Sequence, residues 1–223
     1  MIFLFDENTG KESIKIRGEN YKYLIKVRRH KEGDILSFRS EDDPSILYHY
    51  KLTHLTPREA HFELISSEVK EVKPSHKLHI GWCIIDPKSI EKTLPTLNEI
   101  GVDKISFIYC KRSQKNFKID LKRLKRILKS SMQQCGRSSF MEFAIYNDLQ
   151  SFLDDYTDVK VFDFCETVLR KETRFENVLI GCEGGFSDEE REILNKQECF
   201  KLDTPLVLRS ESAACAVAAK ILL

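Results

Sequence analysis

No apolar run in this chain reaches the ~18 residues that a membrane-spanning helix needs. The start, Met1-Ile2-Phe3-Leu4-Phe5-Asp6, lacks the basic stretch and small-residue cleavage site of an export signal, so a soluble, cytoplasmic protein with no membrane partner is expected. The 7 cysteines are odd in number, scattered and without a CxxC pair. Neither a disulfide framework nor a zinc site is suggested, no metal is expected, and free thiols are the default. Neither GxGxxG nor GxxxxGK[ST] occurs, which removes the two common glycine-rich phosphate fingerprints. There is also almost no net charge, Lys+Arg at 36 against Asp+Glu at 35, so the sum says nothing for a polyanionic partner.

What is present is 41% hydrophobic residues in a chain of 223, enough to supply the core of one large domain or two modest ones. The charge, though balanced, is unevenly distributed. Basic residues gather at Lys22, Lys26, Arg28, Arg29, His30 and Lys31 and again from Lys111 to Arg137, while acids concentrate at Glu41 to Asp43, Asp154 to Asp158 and Asp188 to Glu192. The basic groups could form one surface, or they could be ordinary solvated helix faces.

The first ~70 residues read as a short helix, Tyr21 to Arg28, followed by small strands suited to a compact barrel. Strands are expected at Ile35 to Arg39, Ile46 to Leu52 and His61 to Ile65, with turns at Gly33-Asp34, Asp42-Asp43-Pro44 and Thr53 to Arg58. Glu68 to Ser75, charged and containing Pro74, reads as an interdomain linker. The pattern then changes to strand-helix-strand, which argues for a parallel sheet. Leu78 to Ile85 is a strand, Asp86 to Ser89 a loop, Ile90, Leu94, Leu97 and Ile100 one face of a helix that Gly101 stops, and Ile105 to Tyr109 the next strand. Pro95 falls inside that helix, where proline costs up to ~3 kcal/mol, and the pattern offers no account of it. Leu121, Leu124 and Leu128 share a face of a basic, amphipathic helix. Val159 to Phe164 and Val178 to Ile180 look like buried parallel strands, with Glu166 and Gly181 just past their ends at one edge of the sheet.

Two stretches near the C-terminus carry the most information. Leu179 to Glu190 runs a buried strand into a glycine turn and then into a capped helix, the junction at which open α/β sheets hold small ligands. Asp188, Glu189 and Glu190 fill the first helical turn and would repel phosphate, and Ser187 with Glu190 fits a capping box. A tight turn needing positive φ is the plain alternative reading of the two glycines. Further on, Leu206-Val207-Leu208 reads as a short strand, Ser210 can cap, and Ala213 to Leu222 form a helix apolar nearly all round. Such a helix must be buried, in the monomer core or against a second copy in a homodimer.

These residues resemble a known family. Gly181-Cys182-Glu183-Gly184-Gly185-Phe186-Ser187-Asp188-Glu189-Glu190 is similar to the IGPEGGFSxxE motif, and Leu208-Arg209-Ser210-Glu211-Ser212-Ala213 to the LRTETA motif, of the RsmE-type 16S ribosomal RNA uridine N3-methyltransferases. Glu99-Ile100-Gly101-Val102 resembles that family's ELGV, Arg112-Ser113 its RS pair, Gln134-Cys135-Gly136-Arg137 its EQSGR-like segment, and Tyr23 to Arg29 with Gly33-Asp34 its HLxxVLRxxxGD. Cys182 stands in place of a Pro, Ser210 and Ser212 in place of two Thr, and Thr204 to Leu206 lacks the usual Gly and Arg.

The resemblance implies an α/β protein: an N-terminal PUA-like small β-barrel, residues 1–70, that binds RNA, and a C-terminal SPOUT methyltransferase domain, residues 74–223, whose parallel sheet ends in a trefoil knot. It implies S-adenosyl-L-methionine as cofactor, held by Cys165, Glu166, Gly181, Cys182, Glu183, Gly184, Gly185, Thr204, Leu206, Val207 and Leu208. It further implies a homodimer acting on N3 of a uridine in 16S ribosomal RNA, within the small ribosomal subunit. Arg209 is the candidate to stabilise the uridine anion, with Glu211 as base or orienting group and Glu183 as the next choice; a first-turn helix acid is the plain alternative for Glu211. Candidate RNA contacts are Arg28, Arg29, Arg112, Lys115 and Arg137. A nucleophilic cysteine is not expected. Two alternatives remain open, a non-catalytic RNA-binding assembly factor and a SPOUT methyltransferase acting on transfer RNA.

Overall fold

The computed structural model describes residues 2–113, 116–170 and 173–223. The chain divides into two compact units, one of everything up to Lys73 together with Met132–Ser139, the other of Pro74–Ser131 and Phe140–Leu223.

The first unit contains β1 (Leu4–Phe5), β2 (Ser13–Arg17), α1 (Gly18–Tyr21), a π-helical turn (Lys22–Val27), β3 (Ile35–Arg39), β4 (Ile46–Leu55) and β5 (Glu59–Val69). The strands form a five-stranded sheet in the order β1-β3-β4-β5-β2. Register shifts at His49/Tyr50 and Leu52/His54 bend the long central hairpin, because an extra residue on one strand increases local twist. The result is a curled half-barrel with β1 and β2 at its edges, where the sequence suggests a compact barrel. Ile14 and Ile16 alternate inward from β2 to meet Leu24, Phe38, Tyr50, Leu52 and Phe62. Phe38 packs edge-on against Tyr50 and Phe62 at centroid distances of 5.4 and 5.3 Å. Arg39, the last residue of β3, is buried and donates through Nη1 and Nη2 to the carbonyls of Pro44 and Lys70, while its Nε has no hydrogen-bond partner among the described residues.

Two expectations change here. The helix at Tyr21 to Arg28 is mostly a π-turn, with the Arg28 N–H donating to the Tyr23 carbonyl, five residues back. The turn at Thr53 to Arg58 shrinks, because β4 continues to Leu55 and the Thr56 hydroxyl accepts the Glu59 N–H at 3.1 Å.

In the remainder of the chain the elements are β6 (His79–Cys83), α2 (Pro87–Ile100), β7 (Lys104–Ile108), α3 (Leu121–Cys135), β8 (Glu142–Tyr146), α4 (Leu149–Asp155), β9 (Lys160–Phe162), β10 (Asn177–Ile180), α5 (Asp188–Leu194), β11 (Cys199–Phe200) and α6 (Ser210–Leu222). The strands form a six-stranded sheet ordered β11-β9-β10-β6-β7-β8, and every neighbouring pair is parallel. All carboxyl ends therefore share one edge. β6 is buried along its whole length, as a strand covered on both faces must be.

α2 starts at Pro87, where the sequence suggests a loop, because the Asp86 carboxylate accepts the Ser89 N–H and caps it. It runs unbroken through Pro95 and ends at Gly101, whose φ of 112° is the left-handed stop expected there. Ile90, Leu94 and Leu97 are buried to 1% or less, and that burial offsets the proline. α6 packs on α2 and β10, with Ala213, Ala214, Val217, Ala218 and Ile221 buried, so its apolar surface is largely consumed within the chain. Leu206 to Leu208 is not a strand; Leu206 and Val207 are exposed. Nor are all the thiols free. Cys83 and Cys110 form a disulfide with Cα atoms 5.8 Å apart, which the adjacency of β6 and β7 makes possible and their spacing of 27 residues does not reveal. Among the described residues no helix is long and apolar enough to cross a membrane, and no cluster of side chains suits a metal ion.

His79 is the buried titratable group of this sheet. Its Nδ1 lies 3.0 Å from Asn177 Oδ1 and its Nε2 2.8 Å from Ser106 Oγ. Burial, assisted by the Lys104 charge, pushes its pKa down from 6.5 to about 4 against the opposing hydrogen bond to Asn177. Above the unfolded value both states are neutral. As pH falls below it, the unfolded chain binds a proton that the folded chain does not, so stability declines until the folded value is reached. Urea unfolding at pH 7.5 and pH 5 is expected to show a loss of about 2 kcal/mol from this residue, largely absent in His79→Gln. An identical pH dependence in the two proteins would contradict the assignment.

Candidate functional site

At the carboxyl edge of the sheet, the ends of β9 and β10, the loop after β10, the segment Lys201–Arg209 and the first turn of α6 enclose a cleft of about 590 Å³. This lies within the range of small-molecule sites. Ser210, at the start of α6, is part of its lining. The Trp82 indole N–H donates to Ser210 Oγ at 2.8 Å, and that hydroxyl donates to the Gly181 carbonyl at 2.5 Å. Ser210 thus joins β6, the loop after β10 and the last helix, and it does not cap α6 as its position suggests. A Cβ on Gly181 would stand 3.4 Å from both the Gly185 Cα and the Phe186 ring, so the absence of a side chain permits the loop to fold back on itself.

The same loop is closed by Cys182 and Gly185. The Gly185 N–H donates to the Cys182 carbonyl at 2.9 Å, and the Cys182 thiol donates to the Gly185 carbonyl at 3.5 Å. A cysteine in the motif's proline position therefore replaces ring rigidity with a hydrogen bond. Burial, with the nearby Glu190 charge adding to it, pushes the thiol pKa up, so Cys182 stays protonated and is a poor nucleophile.

α5 begins with the full capping box that the sequence announces. Ser187 Oγ accepts the Glu190 N–H at 3.2 Å, and Glu190 Oε2 accepts the Ser187 N–H at 2.9 Å. The buried Glu190 also accepts the Lys111 N–H through Oε1 at 2.7 Å. This ties the turn after β7 to the cleft loop. Lys111 further pairs with Glu189, and Arg112 Nη1 donates to the Gly184 carbonyl at 2.7 Å. On the other side Arg191 donates to the Phe186 carbonyl at 3.3 Å and pairs with Asp163 at 3.1 Å, joining the loop after β9 to the loop after β10. The acidic first turn of α5 leaves no vacant anion trap.

Of the residues expected to hold a cofactor, Gly181, Cys182, Glu183, Gly185, Thr204, Leu206, Val207 and Leu208 line the cleft. Gly184 sits behind it against the Arg112 side chain. Cys165 and Glu166 are not part of the lining: Cys165 turns its thiol to the Thr167 carbonyl, and the exposed Glu166 pairs with Lys201. Glu183 and Arg209 line the cleft and are exposed. Glu211 lies just beyond the lining, and its Oε2 is buried with no hydrogen-bond partner among the described residues.

The basic candidates separate. Arg28 is exposed and donates to the Tyr23 hydroxyl at 2.8 and 3.0 Å. Arg29 is exposed with a φ of 61°, strained for a side-chain-bearing residue. Arg112 is committed to Gly184. Arg137 is buried and donates to Ser139 Oγ, where the sequence suggests an exposed loop cation. Lys115 lies outside the described residues.

Sequence reasoning missed Phe162, Asp163, Phe164, Phe186, Lys201 and Leu202 in the lining. The strand-end positions of Phe162 and Asp163 were the available signal.

Glu190→Ala leaves the Lys111 and Ser187 N–H groups without their acceptor and is expected to cost about 2 kcal/mol. Glu190→Gln, which keeps a carbonyl acceptor, is expected to lose less. Thermal denaturation checks both, and equal midpoints for wild type and Glu190→Ala would refute the tie.

A model of the RNA methyltransferase domain matches residues 72–222. A Helicobacter pylori protein named ribosomal RNA small subunit methyltransferase E is 38% identical over 222 residues, covering 98% of each chain. A Legionella pneumophila protein solved with its bound cofactor S-adenosylmethionine superposes with a TM-score of 0.80 at 20% identity, covering 98% of this chain and 95% of the other. A Neisseria gonorrhoeae ribosomal RNA small subunit methyltransferase E bound to S-adenosylmethionine gives 0.74 at 18% identity, over 98% and 95%. The motif resemblance is borne out: with a family match over residues 72–222 and 38% identity along nearly its whole length, this chain belongs to the RNA methyltransferase domain family.

Proposed function

We propose that the chain transfers a methyl group from S-adenosyl-L-methionine to N3 of a uridine in small-subunit ribosomal RNA. The observation that carries this reading is the single cleft in which the Gly181 to Phe186 loop and the Thr204 to Arg209 segment face each other, joined through Ser210. The names of the Helicobacter pylori and Neisseria gonorrhoeae proteins support the substrate class and the cofactor.

The residues present fit that cofactor. The cleft admits close backbone approach at Gly181, its wall is partly apolar through Ile180, Phe186 and Leu202, and the carboxylates of Asp163 and Glu183 line it. A sulfonium is favoured beside such carboxylates as phosphate is not. When bound, the cofactor supplies an electrophilic methyl group. Gly181, Gly185, Thr204 and Leu208 would hold it through the loop backbone, and the buried Phe186 would shield it from water. Uridine N3 carries a proton at neutral pH. Glu211, with its unpartnered oxygen, accepts that proton, and Arg209 at the cleft donates to the O2 or O4 on which negative charge develops.

The half-barrel grips RNA as a PUA-like module through Arg28 and Arg29, while the loops after β9 and β10 form the trefoil knot in the cytoplasmic enzyme. A second copy covers Phe164, Leu206 and Val207, whose exposures of 73, 73 and 77% are high for large apolar side chains beside a cleft.

Incubation with methyl-labelled cofactor and unmethylated small subunits is expected to label 16S RNA, with N3-methyluridine in the digest. Arg209→Ala is expected to lower kcat by roughly 10²-fold or more, and Glu211→Gln by roughly 10²-fold, each with cofactor affinity kept in calorimetry. Label in transfer RNA alone would select that alternative substrate. Cofactor binding failure would select the non-catalytic assembly factor.

A further inference from the structure

One concentration of charge has no role in the cleft. α3 carries Lys122, Arg123, Lys125, Arg126 and Lys129, and no acid occurs between Leu121 and Cys135. Its apolar side is satisfied, with Leu124 and Leu128 buried, while Lys122, Arg123, Lys125 and Arg126 are exposed. Arg123 is neutralised by Glu91 of α2 at 2.6 Å, and Asp120 is spent on capping the Arg123 N–H. Lys122, Lys125 and Arg126 have no ion-pair partner among the described residues.

This arrangement opposes helix stability in two ways. Lys122 adds positive charge to the first turn, where the helix dipole favours acids. Lys122 also has Lys125 three residues on and Arg126 four residues on, the spacings at which like charges meet and repel. A merely solvated face gains nothing from such crowding.

Topology places the charge usefully. α3 connects β7 to the parallel β8, so it runs back against the strands and its first turn lies at their carboxyl edge, the edge that holds the cleft. β7 stands two places from β10 in the sheet, about 10 Å across at the usual strand spacing. The turn leading into α3 touches the cleft loop through Arg112 and Gly184.

We propose that Lys122, Lys125 and Arg126 form a docking surface for the phosphate backbone of the RNA whose base enters the cleft. The surface rests on the RNA-methylation reading above. Its chemistry is that of flexible point charges, suited to phosphate oxygens and carrying no base specificity.

The test uses the full chain with Lys122→Gln, Lys125→Gln and Arg126→Gln combined. Fluorescence anisotropy is read with a labelled single-stranded RNA segment of the small-subunit RNA over a range of salt. The affinity is expected to fall at least about tenfold, and the slope of log K against log salt to shallow by about 2 for three lost phosphate contacts. A charge-preserving version with Lys122→Arg and Lys125→Arg should retain the wild-type slope, and calorimetric affinity for S-adenosyl-L-methionine should be unchanged in both. An unchanged slope and affinity in the Gln variant, alongside wild-type protein that binds and methylates RNA, overturns the surface alone. Wild-type protein that methylates no RNA overturns the functional reading and this surface with it.

Discussion

The hydroxyl of Ser210 accepts the Trp82 indole N–H and donates to the Gly181 carbonyl, and the cleft depends on this small junction. Trp82 lies on the fully buried β6 at the centre of the sheet, Gly181 is the first residue past β10, and Ser210 begins the last helix. Parallel strands bring their carboxyl ends to one edge but leave the loops there free to diverge. The Ser210 bonds remove that freedom. They bring the segment arriving from the far edge strand, β11, back over the middle of the sheet, so that two loops distant in sequence become two walls of one cleft.

The second constraint is electrostatic. Glu190 is buried yet holds two backbone N–H groups with its two oxygens, one in its own helix cap and one in the turn after β7. A buried carboxylate is tolerated only with such satisfaction. Arg191 performs the corresponding task on the opposite side, through Asp163 and the Phe186 carbonyl. Acid and base at adjacent positions of α5 thus brace the cleft loop from two directions. By contrast, Lys122, Lys125 and Arg126 in the first two turns of α3 are exposed and have no ion-pair partner among the described residues.

Local signals in the sequence were reliable where backbone chemistry is itself local. The capping box at Ser187 and Glu190, the left-handed stop at Gly101 and the buried strands around Ile80, Phe107 and Leu179 were all legible. The glycine turn after β10 was legible too, although the sequence left a plain tight turn as its alternative reading. The failures share a cause. Leu206 to Leu208 has the composition of a strand but no neighbour to pair with. Arg137 has the look of an exposed loop cation but is buried, and Cys83 and Cys110 are paired only because adjacent strands bring them together.

By itself, the sequence determined the strand-helix alternation, the parallel class of the second sheet and the acidic helix start that disfavours phosphate, since each follows from periodicity or from charges one helical turn apart. Tertiary structure alone decided which strand ends meet, that Phe162, Asp163 and Lys201 join the cleft while Cys165 and Glu166 do not, and that Ser210 bridges where it could have capped. The reason is that the direction of a side chain past the end of a strand is set by partners far away in the chain, Trp82 lying 128 residues from Ser210, and no local pattern encodes a contact of that span.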